Sequence, residues 1–402
     1  MNYDPLAKQF WLVLAFVGVI IPGAAQNVII SLEEAVRIAS SKYAGLERDR
    51  LLVLQQNKLA ESGTLMSPTQ IFFSGEEFNF NDQSGVQSFN IQQNFNLPKK
   101  AKAQKEYYHH SALLAQRQLE LTEQELKYKI KLSYYRLQHA KREQALAIEN
   151  QKLYGDFLAL TTTLLEKGET GKLPQLSARS HLGKAQLERE HANEKYQIAF
   201  HLFNQWLRSD TLYDVEEQVD IIQPVIVDTN LTNNPHLQVI QAKQELAVAN
   251  VEIQKVKLLP QINSGLRLQN AFGTFPLFGY QIGANVPLFQ KSYKKRIEAA
   301  EVGVKAQQSA LKTEQQHLEQ TLSELNYRIE HQLHILEYLQ QDLQPIVDQQ
   351  SELSLQAFQE GEISYLEYLD SLEQVLNVKK QYLEALYQFN LLRLELDYWL
   401  GK

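Results

Sequence analysis

Cysteine is absent from all 402 residues, which excludes disulfides, thiol chemistry and acylation through a lipobox cysteine. Glycine (17) and proline (11) are scarce, and the Gln, Leu, Glu, Lys and Ala that dominate instead favour long helices. Charge of one sign is not concentrated anywhere. The formal net charge of −7 is modest and no basic face stands out, so the composition gives no sign of a nucleic-acid partner. No glycine-rich loop ending in Lys-Ser/Thr, no HExxH and no GxSxG occurs, which argues against an enzyme and against a bound cofactor. His109 and His110 are adjacent and cannot share a helix face, while His181, His191 and His201 are spread round one helix, so metal ligation is not expected.

Long apolar runs are also rare. One, from Phe10 to Ile21, follows Lys8 and precedes the small residues Gly23 and Ala25. It is too short to span a bilayer comfortably and reads as a signal peptide over 1–25, cleaved before Gln26. An uncleaved N-terminal anchor is the alternative, favoured by Asp4, which makes the leader less basic than usual.

What the chain has is a repeat. Leu318, Leu322, Leu325, Ile329, Leu333, Leu336, Leu339, Leu343 and Ile346 recur every three or four residues, the seam of a coiled coil. The pattern stops at Gln359-Glu360-Gly361-Glu362, where the glycine permits φ > 0. It resumes with Tyr365, Leu366, Leu369, Leu372, Leu376, Tyr382, Leu383, Leu386, Phe389 and Leu396. This predicts an antiparallel helical hairpin whose outgoing limb, from Lys291 to about Glu360, is uninterrupted and reaches on the order of 100 Å.

The same order of elements occurs earlier. Ser31-Leu32-Glu33-Glu34 opens a helix that runs to Ser62-Gly63. Period-two segments follow over Thr69–Phe80 and Val86–Leu97, and a long helix from Lys99 to about Glu166 is broken by Lys167-Gly168-Glu169-Thr170-Gly171. A return helix starts at Leu173-Pro174 and ends near Leu207. After a connector, Pro235 opens a helix to Leu259. A strand to Asn270, a loop over Ala271–Phe278, a strand over Gly279–Phe289 and the hairpin come next. Pro68 and Pro260 differ by 192 positions, and Gly168 and Gly361 by 193, so the chain is a duplicated helix, strand, strand, helix, helix unit. The expected organisation is a signal peptide (1–25), a first repeat (26–208), a connector (209–234) and a second repeat (235–402).

Each strand is long enough to cross a bilayer when tilted, and apolar residues alternate with Asn and Gln. Four strands cannot close a barrel, and each open edge in lipid would cost several kcal/mol per unpaired group. Two readings stay open at this point: an amphipathic sheet packed on helices, or a twelve-stranded barrel shared by three copies.

Asn234-Pro235, Leu259-Pro260, Val286-Pro287-Leu288-Phe289 and the hairpin tip from Gln359 to Asp370, together with the duplication, resemble the TolC-like outer-membrane efflux proteins across the chain after residue 25. The resemblance implies a mainly α fold with β: long antiparallel coiled-coil helices forming an α-barrel in the periplasm, and four strands per chain contributing to a trimeric twelve-stranded β-barrel in the outer membrane. It further implies a passive exit duct of a tripartite efflux or type I secretion system. Its partners would be outer-membrane lipid, a periplasmic adaptor (membrane fusion) protein and an inner-membrane pump of the RND type. Acidic residues at Glu367 and Asp370 would ring a periplasmic constriction, and Gly168, Gly171, Gly361 and Tyr365 would form the tips that meet the adaptor. The first repeat departs from that pattern, carrying Pro174 and Ser177 at the positions equivalent to the two acids. Lys99, Lys100, Lys102, Lys105, Lys291, Lys294, Lys295 and Arg296 fall at the expected barrel rim, as a solvated helix start or as partners for lipid phosphate. The rival from another class is a periplasmic coiled-coil adaptor or scaffold.

Overall fold

The computed structural model describes residues 28–62, 66–77, 85–217, 231 and 234–402. The expected signal segment lies outside them, as does most of the expected connector. A short strand β1 (Val28–Ile29) leads into α1 (Leu32–Lys42) and α2 (Ala44–Glu61), then β2 (Gln70–Glu76) and β3 (Val86–Phe95). The helices α3 (Pro98–Glu166) and α4 (Lys172–Leu207) form the first hairpin, and β4 (Tyr213–Asp214) pairs in parallel with β1. The second pass consists of α5 (Pro235–Val256), β5 (Gln261–Ala271), β6 (Thr274–Asn285), α6 (Lys291–Tyr338), α7 (Gln344–Gln359) and α8 (Tyr365–Leu400).

The helices bury a heptad seam. Along α4, Ala178, Ala185, Ala192 and Ala199 recur every seven residues and are all buried, which lets α4 approach α3 closely. Ile130, Tyr134 and Leu137 of α3 and Phe203 and Leu207 of α4 complete that core together with Ala35, Ala39 and Leu46. In the second half, Leu318, Leu322, Leu325 and Ile329 of α6 meet Leu386, Phe389 and Leu396 of α8. The two halves are also joined end to end. Asn234 caps α5, its Oδ1 accepting from the His236 and Leu237 amides at 2.9 and 3.4 Å, while its Nδ2 donates to the Trp399 carbonyl at 2.5 Å. Thus α8 hands over directly to α5.

Several expectations need correction. The outgoing limb is not uninterrupted: a π-helical turn, Leu339–Leu343, separates α6 from α7 just before Pro345. Proline offers no N–H and its ring presses on the carbonyl four residues back, so the helix widens by one residue. That shifts the seam, leaving Ile346 exposed and burying Val347 in its place. Leu366, Leu51 and Leu54 are likewise exposed. The first helix divides at Tyr43, whose extended backbone ends α1 and whose ring lies 6.5 Å from that of Trp206. The expected eight-residue loop between the last two strands is a two-residue turn, Phe272-Gly273, with both φ positive at 51° and 83°. A bulky residue in the left-handed region is uncommon, and the Asn-Gly pair that ordinarily announces such a turn is missing.

Replacing Asn234 with Ala removes a helix cap and the bridge to Trp399 together. We expect a loss of about 1–2 kcal/mol, read as a lower midpoint of thermal unfolding by circular dichroism. An unchanged midpoint would show that packing alone joins the halves.

Candidate functional site: the strand wall and the hairpin tips

β2, β3, β5 and β6 form one antiparallel sheet in the order β2-β3-β5-β6, so strands from both repeats lie in one wall and β2 and β6 are its free edges. The register sorts side chains by face. On one side Phe73, Phe89, Leu268 and Phe278 lie on one rung and Ile71, Ile91, Leu266 and Tyr280 on the next. On the other lie Ser74, Ser88 and Gln269, then Asn90 and Arg267, then Gln70, Gln92 and Gln281, then Asn94 and Asn263. Phe72 and Leu277 on the edge strands, and Val86 and Ala271 at the outer end, are apolar residues on that second face.

The polar side is the knitted one. Ser74 and Ser88 hydroxyls are 2.8 Å apart, Asn90 Nδ2 donates to Ser88 Oγ at 3.1 Å, and Arg267 Nε donates to Asn90 Oδ1 at 3.0 Å. Gln281 Nε2 reaches Gln92 Oε1 at 3.2 Å across the intervening strand. It passes over Gly265, where a Cβ would sit 3.1 Å from Gln281 Cγ. Asn90 is only 4 % exposed, whereas Phe278 and Tyr280 are each 83 % exposed. A sheet packed on helices would show the opposite, so that reading fails: the apolar face is bare and the polar face is satisfied. Such a face is matched by hydrocarbon rather than by water.

The strands run into α3 and α6 at the same end, which places Lys99, Lys100, Lys102 and Lys105 together with Lys291, Lys294, Lys295 and Arg296 at one rim of the sheet. Lys295 pairs with Glu298 at 2.5 Å. At the far end of the helices, both hairpins turn in the same way. Gly168 and Gly361 have φ of 75° and 77°. The Glu169 amide donates to the Leu164 carbonyl and the Glu362 amide to the Ala357 carbonyl, each at 2.9 Å, which closes a Schellman motif at each tip. Gly171 has an ordinary extended backbone and precedes α4. The rings of Phe157, Phe358 and Tyr368 lie within 5.1–5.7 Å of one another and pin the two tips together, with Tyr365 packed beside them.

Glu367 and Asp370 are both exposed on the first turns of α8. Glu367 closes a capping box: its Oε2 accepts from the Ser364 amide at 2.7 Å, and its own amide donates to Ser364 Oγ at 3.3 Å. The bond from the Ser364 backbone, followed by that from its side chain, holds the Glu367 carboxyl below its ordinary pKa. Asp370 accepts from Gln374 at 2.7 Å. Ion pairs fasten α8 to the first hairpin, Lys379 to Glu149 at 2.8 Å and Lys380 to Glu188 at 3.0 Å, and His181 Nδ1 lies 3.6 Å from Glu373. His110 lies 3.4 Å from Glu245, well apart from that group.

Residues 226–402 match the family model described as outer membrane efflux protein. That match takes in the second of the two repeats, somewhat less than half of the chain. The first half, which the family model does not reach, supplies β2 and β3 to the same wall. The fold is shared with solved structures at low identity. CusC matches at 15 % identity with a TM-score of 0.80, covering 93 % of each chain. The open-state MtrE outer membrane channel of Neisseria gonorrhoeae matches at 14 % and 0.77, covering 92 % of this chain and 88 % of that one. The Campylobacter jejuni CmeC outer membrane channel matches at 11 % and 0.73, covering 100 % and 94 %. No curated protein matches the chain.

Sequence reading overlooked three features of the site. The capping box was legible as Ser364-x-x-Glu367. The aromatic pin joins residues some 200 positions apart, and the lone Arg267 stands out only once the register places it among Asn and Gln.

Because the Glu367 pKa is lowered in the folded chain, its contribution to the tip is present above the ordinary carboxylate range and is lost as pH falls through the folded value. In hydrogen exchange corrected for intrinsic rates, protection of the Ser364 amide should hold from neutral pH down to that range and then fall. Glu367→Gln should weaken it at neutral pH and flatten the profile. Equal profiles would deny the cap its role.

Proposed function

We propose that three copies of this chain close a twelve-stranded barrel in the outer membrane and continue it as a helical tube, giving solutes a passive exit from a periplasmic adaptor and an inner-membrane pump of the RND type. One observation carries the reading: the sheet has a bare apolar face, a hydrogen-bonded polar face and two open edges, β2 and β6. In lipid each unpaired N–H or C=O on those edges costs several kcal/mol, and joining β6 of one copy to β2 of the next removes the penalty without adding an element. Three such sheets give an even number of strands and a polar lumen. A periplasmic adaptor would leave the same apolar face in water.

The paired tips are the part farthest from the sheet and are proposed as the adaptor contact, with Gly168 and Gly361 supplying the turns, Gly171 opening α4 and Tyr365 bracing the pin. Glu367 and Asp370, one helical turn apart on exposed α8, are proposed to ring the periplasmic opening. Three-fold symmetry puts six carboxylates about one axis, a cation-attracting constriction. The rim cations meet phosphate groups of the membrane's inner leaflet.

Detergent-purified protein should migrate as a heat-modifiable species of three times the chain mass and form pores in planar bilayers. Glu367→Gln/Asp370→Asn, which keeps an acceptor oxygen at each position and removes six charges per trimer, should shift the reversal potential in a salt gradient towards lower cation preference. A stable monomer that keeps its strand content would overturn the trimer, and an unchanged reversal potential would make the two acids ordinary surface charge.

A further inference from the structure

We infer that Arg267 forms a carboxylate-binding point inside the barrel, so that the duct favours organic anions at its outer end; this rests on the trimeric pore proposed above. The four strands of this sheet carry two charged side chains among the described residues, Arg267 on β5 and Glu76 at the outer end of β2. Arg267 lies on the polar face, six residues beyond the periplasmic start of its strand, about 20 Å along it. Glu76 is four rungs farther out and on another strand, so its charge is about 13 Å away along the strand direction alone.

The geometry around Arg267 leaves one end of the guanidinium engaged and the other free. Nε donates to Asn90 Oδ1 at 3.0 Å, and Asn90 is itself held by Ser88 and Ser74. Among the described residues nothing bonds to the two terminal nitrogens. The next residue on the rung is Gly279, where even an added Cβ would meet only the Arg267 Cβ, at 3.6 Å, so no side chain covers the arginine from β6. Arg267 is exposed on this face although its rung partner Asn90 is buried. A guanidinium held at Nε with its two terminal nitrogens open presents the planar fork that matches a carboxylate. In a trimer three such forks occupy one level of the lumen, where low-dielectric walls focus the field.

The test uses the full-length trimer in planar bilayers, with citrate as the probe added from the outer side and chloride over potassium preference read from the reversal potential. Wild-type pores should be blocked by citrate. Arg267→Gln, which keeps a donor for Asn90 but has no charge, should raise the citrate concentration for half block about tenfold or more, as expected for loss of a charged hydrogen bond, and should shift the reversal potential towards greater cation preference. Arg267→Lys should keep the ion preference and lose most of the citrate block. Asn90→Asp, which sets a carboxylate against the guanidinium, should weaken block to a similar degree as Arg267→Gln does. Heat-modifiable migration of each variant confirms assembly. If wild type forms no pore, the trimeric channel falls and this inference with it. If pores form and Arg267→Gln changes neither citrate block nor reversal potential, this inference alone is wrong, and Arg267 serves only to brace Asn90.

Discussion

A β-sheet in water hides its apolar face, and the four-stranded sheet of this chain cannot: its polar face is the one tied together by Ser88, Asn90, Arg267, Gln92 and Gln281, and Phe278, Tyr280 and Leu266 stand on the other side with nothing over them. The remaining architecture follows from that. Hydrocarbon is the solvent that suits the bare face, a closed barrel is the arrangement that leaves no strand edge in hydrocarbon, and four strands are too few to close. Helices about 100 Å long then have a purpose, since a barrel that ends at the membrane surface cannot reach across a periplasm.

Sharing one wall between the two repeats has a mechanical consequence. Each repeat contributes two strands and one helical hairpin, and the halves meet in the sheet, at the Asn234–Trp399 junction and at the Phe157, Phe358 and Tyr368 pin. Between those points α8 is fastened to the first hairpin by exposed ion pairs, each worth little alone. The two halves are thus joined by packing and hydrogen bonds at those junctions and by exposed ion pairs between them. The π-helical turn before Pro345 adjusts the second hairpin by one residue, so that α7 buries Val347 where a continuous helix would bury Ile346.

Much of this was legible in the sequence for a physical reason: period-two and heptad patterns report burial directly, and Leu318, Leu322, Leu325 and Ile329 are buried as their spacing demands. The left-handed glycines at the tips were also readable, because helix breaks with Gly168 and Gly361 at matched offsets leave few other conformations. What was missed depends on contacts that periodicity does not encode. Phe272-Gly273 forms a tight turn without the usual residues, Pro345 changes helix phase rather than ending the helix, and Glu367 is engaged by Ser364 in a helix cap. Which face of the sheet is covered was open from alternation alone, since both readings use the same alternating pattern; the hydrogen-bonded register settled it.

In the assembled protein, residues 278–284 of β6 are expected to alternate between lipid and water. The chain has no cysteine of its own, so single cysteines can be placed along that stretch, spin-labelled and tested for collision with oxygen, which concentrates in hydrocarbon, and with a water-soluble nickel chelate. Labels at Phe278, Tyr280 and Ile282 should be reached by oxygen and shielded from nickel, with the reverse at Gly279, Gln281 and Gly283. Nickel accessibility at all six positions, with no alternation, would contradict the account.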